Sequence, residues 1–193
     1  YLIVDIIIVC VCSVIYHRYR DYIRSFLERY GKILLWISLA GLMVWQLLSC
    51  YSAFFYSGWD AGVVISSVNA KLNGDIANIN SEYFSSYPNN IFIAWMYYSI
   101  LKLSDILFGT THIFILVAFQ VLLECITMYL VFRVSYVFSE NIIFAWTCYI
   151  AAILLVGLSP WYIVYYTDAT GLMFPILIIR LWQIARDQKS TKR

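Results

Sequence analysis

Apolar residues are grouped into long runs along this chain, and polar residues are confined to the intervals between them. A helix needs roughly 20 consecutive apolar residues to cross a bilayer, and several runs approach that length. The strand alternation that is typical of transmembrane barrels is absent from the sequence. The pattern therefore predicts an all-α, polytopic transmembrane helix bundle that forms a single module over 1–193. The predicted spans lie at about 1–16, 33–57, 113–132, 142–159 and 172–185.

Composition supports this prediction, because 63% of the residues are hydrophobic and only 12% are charged. Those fractions lie outside the range of soluble domains. The five cysteines lie in the apolar runs, and His17 and His112 are isolated, so the residues predict no metal site. The chain begins at Tyr1 inside an apolar run, without a basic segment before it, and we interpret it as a piece of a longer protein.

The segment 58–90 is the only long polar interval between the apolar runs. It contains an acid, Asp60, directly after a predicted span, a short amphipathic run at 61–72, and a Tyr-Pro-Asn-Asn string at 87–90. Long loops with structure of their own are more often functional than not. We expect 58–90 to be an extracytoplasmic loop that carries juxtamembrane helices.

The positions of the basic residues predict the topology, because cytoplasmic connectors carry the excess of Lys and Arg. The basic segment 17–32 is assigned to the cytoplasm, either as an amphipathic helix on the membrane surface or as a solvated connector. If 91–108 crossed the membrane, the thirteen basic residues would divide six to seven between the two sides. If 91–108 is an interfacial or re-entrant helix, they divide eleven to two, and this bias favours the second topology. The loop 58–90 and the aromatic loop 161–171 then share the extracytoplasmic face.

Three short motifs resemble a known class of enzymes. They are Trp59-Asp60-Ala61-Gly62, the string from Tyr83 to Asn90, and Tyr165-Tyr166-Thr167-Asp168. Their order and spacing resemble the GT-C class of glycosyltransferases, which includes the protein O-mannosyltransferases and the bacterial lipid A aminoarabinose transferase. The Tyr-Pro-Asn-Asn string is similar to that of Gram-positive integral membrane proteins of this class. The likeness covers about 33–185, which corresponds to the amino-terminal module of such enzymes.

The resemblance implies a multi-pass protein of the cell membrane that transfers a sugar from a polyprenyl-phosphate carrier to an acceptor on the extracytoplasmic face. It implies Asp60 as the general base and Asp168 as the acid of the second loop, and it leaves a divalent metal cofactor open. The alternative for both residues is structural. Each aspartate precedes a predicted helix and is a suitable N-cap.

The donor would be a lipid-linked sugar, and five further residues are candidates for binding it. Lys71 is the only cation of the 58–90 loop and could stabilise the phosphate leaving group. The other four candidates are Tyr87, Asn89, Asn90 and Tyr166. Their structural alternatives are a solvated lysine, asparagines that cap the following helix, and tyrosines of an interfacial belt.

Glu124 lies in the middle of a predicted span, where an ionisable side chain indicates function by default. We interpret it as a protonated structural residue that faces another helix, and Gln120, one turn earlier, is a candidate hydrogen-bond partner. It is also the feature that favours the alternative function, a non-catalytic membrane protein such as a transporter fragment or a cell-envelope assembly subunit. The expected partners are membrane lipid and the polyprenyl-phosphate sugar. Nucleic acid is excluded, because the basic residues follow the membrane topology.

Overall fold

A computed structural model describes residues 2–55, 58–163 and 170–191. Within these ranges every regular element is a helix and no strand occurs, which confirms the all-α prediction. The helices are α1 (Leu2–Ala53), α2 (Asp60–Leu72), α3 (Ser81–Ser86), α4 (Asn89–Phe108), α5 (Phe114–Ser139), α6 (Ile142–Ala152) and α7 (Met173–Thr191). Short 3₁₀ turns lie at Ile76–Asn78 and Pro160–Ile163, and a π-helical turn at Ile153–Gly157 extends α6.

Three segments are long and apolar enough to cross a membrane by length and composition: Tyr16–Ala53, Asn89–Phe108 and Phe114–Ser139. The apolar helix Ile142–Gly157 is shorter. Because α4 has the length of a span, length alone does not separate a crossing helix from an interfacial one. The interfacial or re-entrant position of 91–108 stays a prediction, which is supported by the packing described below.

Helix α1 is continuous over 52 residues, from Leu2 to Ala53. The expectation of a separate surface helix or connector at 17–32, between two spans, is therefore corrected. The segment contains no proline, and a single glycine inside a helix costs only about 1 kcal/mol relative to alanine. Arg24 and Glu28 form an ion pair of 2.9 Å one turn apart, as the helix requires. The polar residues at 17–32 indicate that the surroundings of α1 become aqueous, but the backbone remains helical there.

Helices α1 and α5 pack side by side and antiparallel. Contacts link them at successive levels, and the residue number on α5 falls as that on α1 rises. The contacts are Trp36 with Tyr129 (ring centroids 5.5 Å apart), Gln46 with Cys125 (3.9 Å) and Tyr51 with Phe114 (ring centroids 6.4 Å apart). The end of α1 and the start of α5 therefore lie at the same end of the pair, and the chain between them leaves and returns at that end.

The buried residues form two clusters, which lie at different levels along the α1–α5 pair. The loop-side cluster joins α2, α4 and the first half of α5, and includes Val64, Ile93, Tyr97, Leu101 and Val117. The bundle cluster joins α1, the second half of α5 and α6, and includes Leu35, Leu42, Phe132, Ala145 and Tyr149. All the buried apolar residues of α4 belong to the loop-side cluster. This packing supports the topology in which α4 stays on the side of the 58–90 loop.

Helix α6 runs parallel to α1 and completes the bundle. The hydroxyls of Ser38 and Tyr149 are 2.7 Å apart, and the Gln46 amide donates to the Gly157 carbonyl at 2.8 Å. Helix α7 runs in the same direction as α5. Thr170, just before α7, donates to the Gln120 side chain at 3.5 Å, and Gln183 donates to the carbonyl of Val134 at 3.2 Å. The basic end of α7 is thereby placed at the same end of the bundle as Arg133.

The topology is testable with single cysteines in a variant that lacks the native cysteines. We expect a membrane-impermeant thiol reagent, applied to intact cells, to label cysteine at Ser81 and not at Ser190. Detergent-opened membranes are the control, in which both positions should react. Labelling of Ser190→Cys from outside would contradict the eleven-to-two division of basic residues.

Candidate functional site

A groove of about 530 Å³ lies between α2, α3 and α4, and we call it the α2–α4 groove. Its walls are mainly apolar and include Val68 of α2, Phe84 of α3, and Ile91 and Trp95 of α4. Lys71 is the one cation among its described lining residues. The groove thus combines a long apolar surface with a single positive charge.

Regular spacing on α2 explains why the groove forms. Ala61, Val64, Ile65 and Val68 recur at intervals of three and four residues and are buried in the loop-side cluster. This face holds α2 against α4. Near the start of α4, the Asn90 amide donates to the Tyr83 hydroxyl at 2.6 Å, and this bond joins α3 to α4.

Lys71 lies in the last turn of α2, and its Nζ is 4.7 Å from the centroid of the Tyr98 ring. A cation over an aromatic ring is stabilised by about 0.5–1 kcal/mol at an exposed site. In the part of the chain that the structure describes, Lys71 pairs with no carboxylate. Its charge is therefore held in place at the groove and is available to an anionic ligand.

The Tyr-Pro-Asn-Asn string lies at one side of the groove, with Pro88 in its lining. Asn90 is buried and its amide is used by Tyr83, so its role in the structure is to join helices. Asn89 donates to the Asn90 side chain at 3.1 Å, and Tyr87 is half exposed. Pro88 occupies the N-cap position of α4, which corrects the interpretation that an asparagine caps this helix.

Asp60 is the first residue of α2 and is exposed, whereas the N-cap is Trp59. The interpretation of Asp60 as an N-cap is therefore wrong. A carboxylate in the first turn still interacts favourably with the helix dipole. Eleven positions separate Asp60 from Lys71, about 16 Å along the helix at 1.5 Å per residue. The two side chains therefore cannot contact the same phosphate. If both act on one substrate, they contact different parts of it.

A polar recess of about 340 Å³ lies beside the N-terminal half of α2. It is lined by Gly58, Gly62, Ser66 and Ser67, with Asn78 and Asn80 from the following turns. Ser67 lines both the recess and the α2–α4 groove, so the two spaces adjoin. Its hydroxyl accepts from the Asn80 backbone N–H at 3.3 Å. The sequence prediction did not include these residues, although their hydroxyl and amide groups are suited to sugar hydroxyls.

Asp168 and Tyr166 lie outside the described residues, so the shared site of Asp60 and Asp168 stays a prediction. Lys102 forms an ion pair with Asp105 at 3.0 Å, and the His112 ring accepts from the Phe114 N–H at 3.2 Å. Both residues therefore have local partners. Within 2–55, 58–163 and 170–191, no group of three or more His, Cys, Asp or Glu residues could hold a metal ion.

One protein-family model matches residues 1–192, which is nearly the whole chain, and its description is "conserved hypothetical integral membrane protein". The chain belongs to this family. No curated protein and no solved structure matches it. Family membership and the apolar helices agree, and together they identify an integral membrane protein.

Inside the bundle of this integral membrane protein, Glu124 is 96% buried and its carboxyl group lies beside Gln46 of α1. One carboxyl oxygen, Oε2, has no partner within the described part of the chain. Gln120, the partner predicted from helical spacing, donates instead to the Tyr162 carbonyl at 3.3 Å. Gln120 and Glu124 of α5 thus both contact segments outside α5.

Proposed function

We propose that this integral membrane protein is a GT-C-like glycosyltransferase module that transfers a sugar from a polyprenyl-phosphate carrier. The observation that carries the proposal is the α2–α4 groove, in which apolar walls meet one cation, Lys71, beside a polar recess. A lipid-linked sugar has three parts, an apolar chain, a phosphate and a polyhydroxyl group. The two adjoining spaces offer a matching surface for each part.

The apolar walls are suited to the isoprenoid chain. Burial of apolar surface contributes about 0.8 kcal/mol for each CH₂ group removed from water. Phe84, Ile91 and Trp95 present such surface on two sides of the groove. Lys71, at the end of α2, would then lie at the phosphate, where developing negative charge needs a positive neighbour.

The polar recess is the proposed place of the sugar, since it joins the groove at Ser67. In the reaction the acceptor oxygen attacks the anomeric carbon, and the bond from that carbon to the phosphate oxygen breaks. The phosphate leaves with the electron pair, and Asp60 accepts the proton of the acceptor hydroxyl. The separation of Asp60 and Lys71 along α2 supports different roles for them, Asp60 at the acceptor and Lys71 at the leaving group.

Extracytoplasmic transfer is part of the proposal and is supported by the helix packing. The groove lies at the end of the α1–α5 pair opposite to Lys32 and Arg133. The positive-inside tendency of membrane proteins assigns the basic end to the cytoplasm.

Carrier binding tests the proposal. We expect Lys71→Gln to weaken binding of a short-chain polyprenyl phosphate about tenfold, because a hydrogen bond to a charged group contributes about 1.5–3 kcal/mol. The quenching of Trp95 fluorescence can report binding, since this residue lines the groove. Lys102→Gln is the matched control, an exposed lysine that is paired with Asp105 and lies outside the groove lining. Equal affinities of the two variants, or an equal loss with the uncharged polyprenol, would count against the groove as the carrier site.

A second candidate function is transport, or another non-catalytic role in the membrane. It is favoured by Glu124 and by the π-helical turn at Ile153–Gly157, because buried acids and irregular helices often mark pathways through membranes. Glu124→Gln separates the candidates. It should abolish a function that needs an ionisable group in the bundle, and it should leave sugar transfer near normal.

A further inference from the structure

A second groove, of about 330 Å³, lies between α1 and α5 at the start of α6. We call it the α1–α5 groove. It is at the opposite end of the bundle from the α2–α4 groove, as the antiparallel contacts of α1 with α5 require. Its rim carries Lys32 of α1 and Arg133 of α5, and Tyr136 lies one turn beyond Arg133.

The described lining of this groove carries two cations and one carboxylate, and is therefore positive in balance. Glu28 also lines it, but its carboxylate is engaged by the Arg24 guanidinium at 2.9 Å. Among the residues that the structure describes, neither Lys32 nor Arg133 forms an ion pair. Two cations from different helices therefore face one space without a fixed counter-ion.

The lining of the groove changes in order from polar to apolar. Lys32 and Arg133 each lie immediately outside a predicted span, at 33–57 and 113–132. One turn deeper, the Trp36 and Tyr129 rings stack, with centroids 5.5 Å apart and planes 20° from parallel. Trp36 is 54% exposed, so this aromatic pair faces the surroundings of the bundle. Aromatic side chains of this kind are enriched at the level of lipid headgroups.

We propose that the α1–α5 groove binds the headgroup of an anionic phospholipid. The lipid phosphate lies between Lys32 and Arg133, and the glycerol ester packs against Trp36 and Tyr129. Basic pockets between membrane helices on the cytoplasmic side are suited to such headgroups. The order of cations, aromatic pair and apolar helix surface matches the order of phosphate, ester and acyl chain in a phospholipid. This site is separate from the proposed sugar-transfer site and does not depend on it.

The test uses the purified chain in detergent, with retained lipid counted by native mass spectrometry. We expect phosphatidylglycerol to be retained about tenfold more strongly than phosphatidylcholine. Lys32→Gln combined with Arg133→Gln should remove this selectivity. Arg20→Gln combined with Arg186→Gln is the matched control, since it makes the same change of charge outside the groove lining. The exchanged pair, Lys32→Arg with Arg133→Lys, keeps the charge and should keep the selectivity.

Two further measurements make the result independent of a folding defect and of free anions. Trp36→Ala, at an exposed position, should lower retention of phosphatidylglycerol while both cations remain. Millimolar inorganic phosphate should leave the lipid bound. Equal retention of the two lipids, an equal loss in the control pair, no effect of Trp36→Ala, or displacement by phosphate would each overturn the proposal.

Discussion

Asp60→Asn is expected to lower sugar transfer by about a hundred- to ten-thousand-fold, which is the usual effect of losing a general base. Asparagine has nearly the same size as aspartate but cannot accept the proton of the acceptor hydroxyl. Since Asp60 is exposed, the substitution leaves the packing of α2 unchanged. The protein should remain inserted and folded while turnover is lost.

The position of Asp60 in the first turn of α2 sets the size of the expected stability change. Loss of a favourable charge–dipole interaction costs about 0.3–1 kcal/mol, and Asp60→Asn and Asp60→Ala should share this cost. Glu82→Gln is the matched control, because Glu82 is an acid in the first turn of α3. It should reproduce the small stability change and keep normal transfer.

The measurement is transfer from a radiolabelled polyprenyl-phosphate sugar in liposomes, with thermal unfolding of each variant in parallel. Near-normal turnover by Asp60→Asn would remove Asp60 from the mechanism. If Lys71→Gln still weakened carrier binding, the groove would remain and another base would have to be found.

Gln46→Leu is expected to destabilise the bundle by about 1–3 kcal/mol. Leucine fills a similar volume but leaves the Gly157 carbonyl without its amide donor and removes the polar side chain beside the Glu124 carboxyl. A buried polar group without a partner costs about 1–3 kcal/mol, and hydrogen bonds between membrane helices lie towards the lower end of that range. Gln46 is fully buried, so water cannot replace the lost contacts.

The free energy of unfolding in mixed micelles measures this effect, and two further variants serve for comparison. Thr127→Val is the control, because among the described residues the buried Thr127 hydroxyl bonds only within α5, to the Leu123 carbonyl at 2.8 Å. It should cost less than Gln46→Leu. Combining Gln46→Leu with Glu124→Leu should recover part of the loss, since both polar groups are then removed. Full additivity of the two changes would contradict a direct contact between Gln46 and Glu124.

The helical class could be predicted from the sequence, because hydropathy and the length of apolar runs are local properties. The continuity of α1 could not. The charges at 17–32 indicate where the surroundings become aqueous, but without proline they do not end a helix. The sequence predicts Asp60 as the N-cap of α2, whereas the N-cap is Trp59, one residue earlier. Acids are common both at the N-cap and in the first turn, so the sequence does not distinguish the two positions.

The candidate site was less predictable, because its contacts join residues that are far apart in the chain. Lys71 was identified as a candidate, yet its place over Tyr98 depends on how α2 packs against α4. For Glu124, the sequence predicts that the side chain faces another helix, and it does lie beside Gln46 of α1, but helical spacing offers only Gln120 as a named partner. The spacing of residues in the sequence predicts neighbours within one helix. It does not predict which other helix packs against that helix.

The parallel packing of α1 and α6 also has a consequence for synthesis. Ser38 and Tyr149 are 111 residues apart in the chain, as are Gln46 and Gly157. A ribosome adds roughly 5–20 residues each second, so on the order of ten seconds pass between the synthesis of Gln46 and that of Gly157. During that interval the amide of Gln46 has no access to its final acceptor. Helix α1 is therefore made well before the segment that supplies the acceptor of its Gln46 amide.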